Sequence, residues 1–149
     1  MGCDFLKLSI SRILRFQKQS AQLYDQQLSE AAARCGLSRP AANVLIFLAN
    51  NPEHNTARDI ALCRGFSKAY VSRALDQLQH KGLVQTRTQA QDRRFQTLLL
   101  SPAAAEPVGI LRSAQEAFVA RLTQHIPSSD LEVALTVLDQ VMANTEKKE

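Results

Sequence analysis

Apolar residues recur at helical spacing near the start of the chain: Leu6, Ile10, Ile13 and Leu14, then Tyr24, Leu28, Ala31 and Ala32. Spacings of three and four residues place such positions on one side of an α-helix. Gly36 follows at a point where a glycine commonly ends a helix. The pattern therefore predicts a long first helix over residues 5–35.

A second, shorter helix is apolar on nearly all of its sides. Ser38 and Pro40 mark its start, and the run 42–49 stops at the polar pair Asn50 and Asn51. Helices of this kind usually lie at the centre of a core. We therefore expect residues 42–49 to be buried.

Two more short helices are predicted over residues 56–81. A capping box of Thr56 and Asp59, with aspartate in place of the usual glutamate, begins the first helix, which runs to residue 64. Gly65 supplies the turn. Ser67 is a favourable N-cap for the second helix, which ends at residue 80 or 81. The spacing predicts a helix-turn-helix.

After residue 82 the pattern of apolar residues is no longer helical and becomes strand-like. Residues 83–88 and 95–100 are rich in Thr, Val, Phe and Leu, and the polar segment 89–94 joins them. Two strand-like runs around a short polar segment predict a β-hairpin.

Two helices are predicted after the hairpin. The first begins at Ser101 and Pro102 and runs to about residue 125, and Pro107 bends or delays its first turns. The second begins with a capping box of Ser129 and Glu132. Its apolar stripe consists of Leu131, Ala134, Leu135, Leu138, Val141 and Met142. The whole pattern predicts one mainly α domain of two lobes with a small β-hairpin.

The basic residues concentrate in the middle of the chain. Residues 56–100 carry eight Lys and Arg against three Asp and Glu, a net charge of +5, whereas residues 101–149 carry four against seven. We therefore expect a polyanionic partner to bind this middle segment. Taken alone, chance clustering of surface charge explains the excess equally well.

Several classes of protein are not expected from this sequence. No apolar run approaches the ~20 residues that span a bilayer, and the first residues lack a secretory signal. Three separated cysteines without a C-x-x-C pair suit a reducing cytoplasm. Histidines 54, 80 and 125 do not have the spacing of metal ligands, so we expect no bound metal. The sequence contains no catalytic motif, so we expect neither enzymatic activity nor a cofactor.

The second helix of the helix-turn-helix has one face suited to DNA. Residues 71, 74, 75 and 78 share an apolar side, which leaves small and basic side chains on the other. Small residues permit close approach to the major groove, and Arg73 can donate to guanine O6 and N7. The candidate DNA-binding residues of this helix are Ser67, Lys68, Ala69, Tyr70, Ser72 and Arg73. An ordinary amphipathic helix pair with solvated charges is the alternative.

Adjacent arginines at the tip of the hairpin strengthen the DNA interpretation. Arg93 and Arg94 lie at the far end of the predicted ribbon, where an arginine can insert into a narrow minor groove. Asp92 can orient Arg94 through a charge-assisted hydrogen bond.

The order of these motifs resembles the MarR (multiple antibiotic resistance regulator) family. The resemblance covers residues 56–84, the pattern Asp92-x-Arg94 followed by residues 98–101, and the start of the last helix at 126–132. It implies a winged helix-turn-helix over about residues 37–101, and dimerisation helices over about 5–36 and 102–145. It also implies a homodimeric regulator, by default a repressor, on a pseudo-palindromic operator. Pro102 and the following alanines depart from the glycine that the family often has there.

The resemblance further implies a small-molecule or oxidative signal. A small anionic aromatic effector could lie among Arg12, Arg15, Phe16, Tyr24 and Phe47. Core packing of the two phenylalanines and solvated arginines is the alternative. Cys3 is the candidate redox sensor, while Cys35 and Cys63 are expected to be buried. A winged helix used for protein–protein contact, with only weak DNA binding, is the alternative function.

Overall fold

The computed structural model describes residues 9–89 and 92–146, with the side chains of residues 9–88 and 96–146. This part of the chain forms six α-helices, one short 3-10 turn and a two-stranded antiparallel sheet. In chain order the elements are α1 (Ile10–Arg34), α2 (Arg39–Asn50), α3 (Ala57–Arg64), α4 (Lys68–His80), β1 (Val84–Gln89), β2 (Asp92–Leu100), the 3-10 turn (Pro102–Ala104), α5 (Ala105–Leu122) and α6 (Ser128–Glu146). The predicted mainly α fold with a hairpin is confirmed.

The helix α2 lies at the centre of the core, as its pattern predicts. Its N-cap is Ser38, whose hydroxyl accepts a hydrogen bond from the Ala41 N–H at 3.3 Å. Residues 41–48 are all buried, and the α2 side chains pack against α1 and α4. Two buried leucines from more distant elements, Leu28 of α1 and Leu111 of α5, complete the same cluster.

The hairpin pairs in regular register for most of its length. Val84 lies opposite Leu100 and Thr88 opposite Gln96, after which the pairing becomes irregular. The Leu98 N–H donates to the Asn55 carbonyl oxygen at 2.7 Å, which fixes β2 against the loop before α3. The base of the hairpin is therefore held against the loop that precedes the helix-turn-helix.

Two details at the later helices differ from the sequence prediction. The 3-10 turn delays α5 until Ala105, and α5 ends at Leu122 rather than near residue 125. The predicted capping box of Ser129 and Glu132 is wrong, because α6 begins at Ser128, two residues earlier than an N-cap at Ser129 requires. The N–H groups of Asp130 and Leu131 both donate to the Pro127 carbonyl oxygen, which places Ser129 inside the first turn.

The chain divides into two compact units, Met1–Glu116 and Ala117–Glu149. The first contains the core, and also exposes apolar side chains in the first turns of α1: Ile10, Ile13, Leu14 and Phe16. In the second, α6 has no buried residue and exposes Val133, Leu135, Val137, Leu138, Val141 and Met142. Over the residues that the structure describes, no helix is both long and apolar enough to cross a membrane.

Candidate nucleic-acid interface

The turn between α3 and α4 is fixed by local hydrogen bonds and one glycine. The predicted capping box at the start of α3 is present: the Asp59 N–H donates to Thr56 Oγ1 at 3.1 Å, and the Thr56 N–H donates to Asp59 Oδ2 at 3.2 Å. Gly65 ends α3 with φ of 65°, in the left-handed region that favours glycine. Ser67 then caps α4 by accepting from the Tyr70 N–H at 3.1 Å. These features define a helix-turn-helix.

The outward face of α4 carries most of the predicted DNA-binding residues. Val71, Ala74, Leu75 and Leu78 are buried, as predicted. Exposed on or near the opposite side are Ser67, Lys68, Ala69, Ser72 and Arg73. The start of this face is made of small side chains, so a partner could approach the helix backbone closely.

Tyr70 takes a different position from its neighbours. Its ring is half-buried and its centroid lies 4.4 Å from that of Phe66. Its hydroxyl oxygen accepts a hydrogen bond from Nδ2 of Asn43 at 3.0 Å. Tyr70 therefore links the first turn of α4 to α2, along the flank of the exposed face.

Three cations that the motif analysis did not single out lie on the same elements. Arg58 of α3, Arg64 of α3 and Arg87 of β1 are all exposed. The guanidinium carbon of Arg64 lies 5.3 Å from the centroid of the Phe66 ring, a cation–π contact. Only the +5 excess over residues 56–100 pointed to these side chains, because their spacing matches no motif.

The cations of the helix-turn-helix have no acidic partner among the side chains of residues 9–88 and 96–146. The ion pair between Arg39 and Asp25, at 3.5 Å, involves α2 and α1. Among the side chains that the structure describes, no cation of α3 or α4 forms an ion pair. Their charges are therefore available to an anionic partner.

An open groove of about 770 Å³ lies between α3, α4 and the hairpin. Its floor is apolar and includes Ala61, Leu75 and Leu98, while Arg58 and Lys68 are among the polar residues that line it. None of the five candidate effector residues lines this groove.

The hairpin-tip residues lie only in part within the described structure. Asp92, Arg93 and Arg94 are the first three residues of β2, so their backbone belongs to the end of the hairpin nearest the turn. Their side chains lie outside the described residues. Their roles at DNA stay predictions.

The five candidate effector residues occupy different environments. Arg12, Arg15 and Phe16 are exposed in the first turns of α1, and Phe16 is 61% exposed, so the core-packing alternative is wrong for it. Phe47 is 7% exposed and belongs to the core. Tyr24 is half-buried, and its hydroxyl oxygen accepts from Nε2 of Gln115 at 2.9 Å. Arg12 and Tyr24 are twelve residues apart on one helix, a rise of about 18 Å.

The cysteines differ in exposure. Cys3 lies outside the described residues. Cys35 is half-buried, and burial raises the pKa of its thiol above the ordinary value. The expectation that Cys63 is buried is wrong: α3 has one buried residue, Ile60, and its last turn leaves Cys63 exposed.

The fold and this surface define a winged helix-turn-helix. A family model described as "MarR family" matches residues 35–94, from the end of α1 into β2. A search of curated protein sequences finds no match. Solved structures do match over nearly the whole chain.

Three of these structures illustrate the likeness. The transcriptional regulator PA3341 is 25% identical, with a TM-score of 0.78 over 91% of this chain and 99% of that one. A MarR family regulator from Silicibacter pomeroyi is 23% identical, with a TM-score of 0.77 over 94% of this chain and 92% of that one. A putative MarR family regulator from Listeria monocytogenes, crystallised with a 26mer DNA, is 14% identical, with a TM-score of 0.78 over 88% and 87%.

The winged helix-turn-helix of this chain, over residues 35–94, is therefore similar to that of the MarR family, and the fold of nearly the whole chain is similar to that of solved transcriptional regulators. The predicted resemblance to the MarR family and the predicted fold class are confirmed.

Proposed function

We propose that this protein is a repressor that acts in the cytoplasm and binds a pseudo-palindromic operator as a homodimer. The observation that carries the proposal is the exposed, cationic face of α4 beside the hairpin. Ser67 and Ala69 are small enough to let the helix approach base edges. Arg73 can donate two parallel hydrogen bonds to guanine, and Ser67, Lys68 and Ser72 are suited to phosphate oxygens.

The hairpin supplies the second contact of each subunit. We assign Arg94 to the minor groove that flanks the major groove of α4, with Arg93 beside it and Asp92 orienting the Arg94 guanidinium. A narrow minor groove has an enhanced negative potential, which attracts arginine.

The dimer is supported by apolar surface that the single chain leaves in water. The exposed residues of α1 and α6 include Leu14 at 58% and Leu135 at 59%. We assign residues 5–36 and 102–145 to dimerisation and residues 37–101 to DNA, within one domain of residues 1–149. A two-fold axis then sets the two α4 helices about 34 Å apart, which is one turn of DNA.

The regulating signal acts on the same helices. Arg12, Arg15 and Phe16 offer two guanidiniums and a ring to a small anionic aromatic molecule, while the other two candidates, Tyr24 and Phe47, lie further along α1 and in the core. Oxidation of Cys3 is the alternative signal. Either event would lower operator affinity by shifting the dimer away from its DNA-binding arrangement.

Selection from a pool of randomised duplexes tests the proposal. The purified dimer should retain an inverted repeat, and log affinity should fall by about 0.9 for each phosphate neutralised per tenfold rise in salt. Phenolic acids or peroxide, added in turn, should release the selected duplex. A single subunit that retains no inverted repeat would overturn the proposal, and weak, salt-insensitive binding would instead indicate a protein–protein module.

A further inference from the structure

Asn43 is the one buried polar side chain in the described part of the chain, and it is 5% exposed. It lies in α2, where the other seven residues of the buried run 41–48 are apolar. Burying an amide among apolar side chains is unfavourable unless its polar atoms are hydrogen-bonded. The stability of the core alone therefore does not explain an asparagine here.

The amide of Asn43 is only half satisfied. Its Nδ2 donates to the Tyr70 hydroxyl oxygen at 3.0 Å. Its Oδ1 is also buried, and has no hydrogen-bond partner among residues 9–89 and 92–146. A leucine, whose side chain branches in the same way, would leave no such atom unpaired, so asparagine is the less stable choice at this position.

The contact holds the first turn of α4. Besides accepting from Asn43, Tyr70 donates its N–H to Ser67 Oγ at 3.1 Å and packs its ring against Phe66. The backbone, the ring and the hydroxyl oxygen of Tyr70 are each fixed. The hydroxyl still carries its own hydrogen, which has no acceptor within the described structure.

We propose that Asn43 is a positioning residue for DNA binding. By donating to the Tyr70 oxygen, Asn43 directs the hydroxyl hydrogen away from the core and towards a phosphate oxygen of the DNA backbone. It also fixes the rotation of α4 about its own axis, and so the direction in which Arg73 points. This inference rests on the proposed function, because it requires a DNA partner.

A second contact between α2 and α4 provides a matched control. Oε1 of Gln77 accepts from the N–H and the hydroxyl of Ser38, at 3.1 and 2.6 Å. Gln77 lies seven residues after Tyr70, two turns further along the same flank. It ties α4 to the start of α2, but it is far from the small-residue end of the exposed face.

The test compares melting temperature with the Kd for the duplex selected by the wild-type protein. Asn43→Leu should melt at the same or a higher temperature, while its Kd rises roughly 3- to 10-fold because a net hydrogen bond is lost. Tyr70→Phe, which keeps the ring, should weaken binding to a similar degree. The double variant should bind no more weakly than Tyr70→Phe alone, since both changes remove the same donor. Gln77→Met should lower the melting temperature and leave Kd unchanged.

A modified duplex locates the contact. Phosphates are replaced one at a time by neutral methylphosphonates. At one position per half-site, this replacement should weaken binding of the wild-type protein. At the same position it should cause no further loss of affinity in Asn43→Leu or Tyr70→Phe, which have already lost the contact. Additive losses in the double variant, or Asn43→Leu with a lower melting temperature and an unchanged Kd, would overturn the inference. Tyr70→Phe keeps the test decisive if Asn43→Leu does not fold. A wild-type protein that binds no duplex would overturn the proposed function as well.

Discussion

The helices α2 and α6 both carry many apolar residues, but they lie in opposite environments. Every residue of 41–48 in α2 is buried, whereas α6 has no buried residue and exposes Leu138 by 50%. Burial of apolar surface contributes about 25 cal/mol per Å², so a stripe left in water is a large unused source of stability. The comparison teaches that one chain completes the core around α2, while the apolar stripe of α6 needs a second surface.

The same difference separates the geometry that one subunit fixes by itself from the geometry that requires two subunits. The geometry of α3, the Gly65 turn and α4 is set by contacts within one chain. In the proposed dimer, the spacing between two such helices is set by the partner that covers the apolar helices. We therefore expect changes in the two regions to have different signatures.

The largest effect is expected from a charge in the α6 stripe. Leu138→Lys would place an ammonium group in the dimer interface of each subunit, so the dissociation constant of the dimer should rise by at least about 100-fold. Sedimentation equilibrium should then show single subunits at micromolar concentration. The control is Gln140→Lys on the polar side of α6, which should leave the dimer intact. An unchanged dimer in Leu138→Lys would remove α6 from the interface.

A cavity in α2 should destabilise each chain directly. Leu45 is 0% exposed, and Leu45→Ala should lower the free energy of unfolding by about 2–5 kcal/mol. Urea denaturation at several protein concentrations distinguishes the effect of a change in α2 from that of a change in α6. Leu138→Ala should make the free energy of unfolding less dependent on protein concentration. Leu45→Ala should leave that dependence unchanged. The reverse pattern would contradict the comparison.

The hairpin tip should contribute to binding and little to folding. Arg94→Ala should weaken operator binding by about 1.5–3 kcal/mol, the range for a charge-assisted hydrogen bond, with a nearly unchanged melting temperature. Arg39→Ala removes the same charge from α2 and serves as its control. If the footprint and affinity of Arg94→Ala match those of the wild type, the hairpin has no part in DNA binding.

Base reading by α4 should show as a change in preference. Arg73→Ala should cost about 1–3 kcal/mol and relax the preference at one base pair in each half-site. Repeating the duplex selection with the variant measures both effects. Equal losses on every sequence would reassign Arg73 to a phosphate contact.

The smallest effect concerns the two described cysteines. Burial raises the pKa of the Cys35 thiol, so near pH 8 its thiolate fraction is below that of an ordinary cysteine, whereas Cys63 is exposed. Iodoacetamide should therefore alkylate Cys63 before Cys35, as followed by peptide mass spectrometry. Raising the pH should narrow the difference, because the Cys35 thiol then ionises. Faster labelling of Cys35 would contradict its described environment.

The sequence predicted features that depend on near neighbours. The Thr56 capping box, the left-handed Gly65 and the Ser67 cap each involve residues at most three apart. Such local patterns can be recognised from the sequence alone. The apolar side of α4 followed from helical periodicity alone.

Features that depend on distant contacts were not predictable in this way. Asn43 and Tyr70 are 27 residues apart, and no periodicity connects a buried amide with a phenol. Cys63 was expected to be buried from its residue type, but its exposure depends on how little of α3 packs inward. The start of α6 was misplaced because Ser129 and Glu132 have the spacing of a capping box, whereas the Pro127 carbonyl oxygen accepts from the N–H groups of Asp130 and Leu131 and the helix begins at Ser128.

One measurement tests the central claim most directly: the affinity of the dimer for its selected operator after about five base pairs, half a helical turn, are inserted between the half-sites. Two α4 helices held by one two-fold axis cannot then reach two major grooves on the same side of the duplex. We predict that affinity falls to that of a single half-site. Undiminished affinity for the lengthened operator would contradict the account.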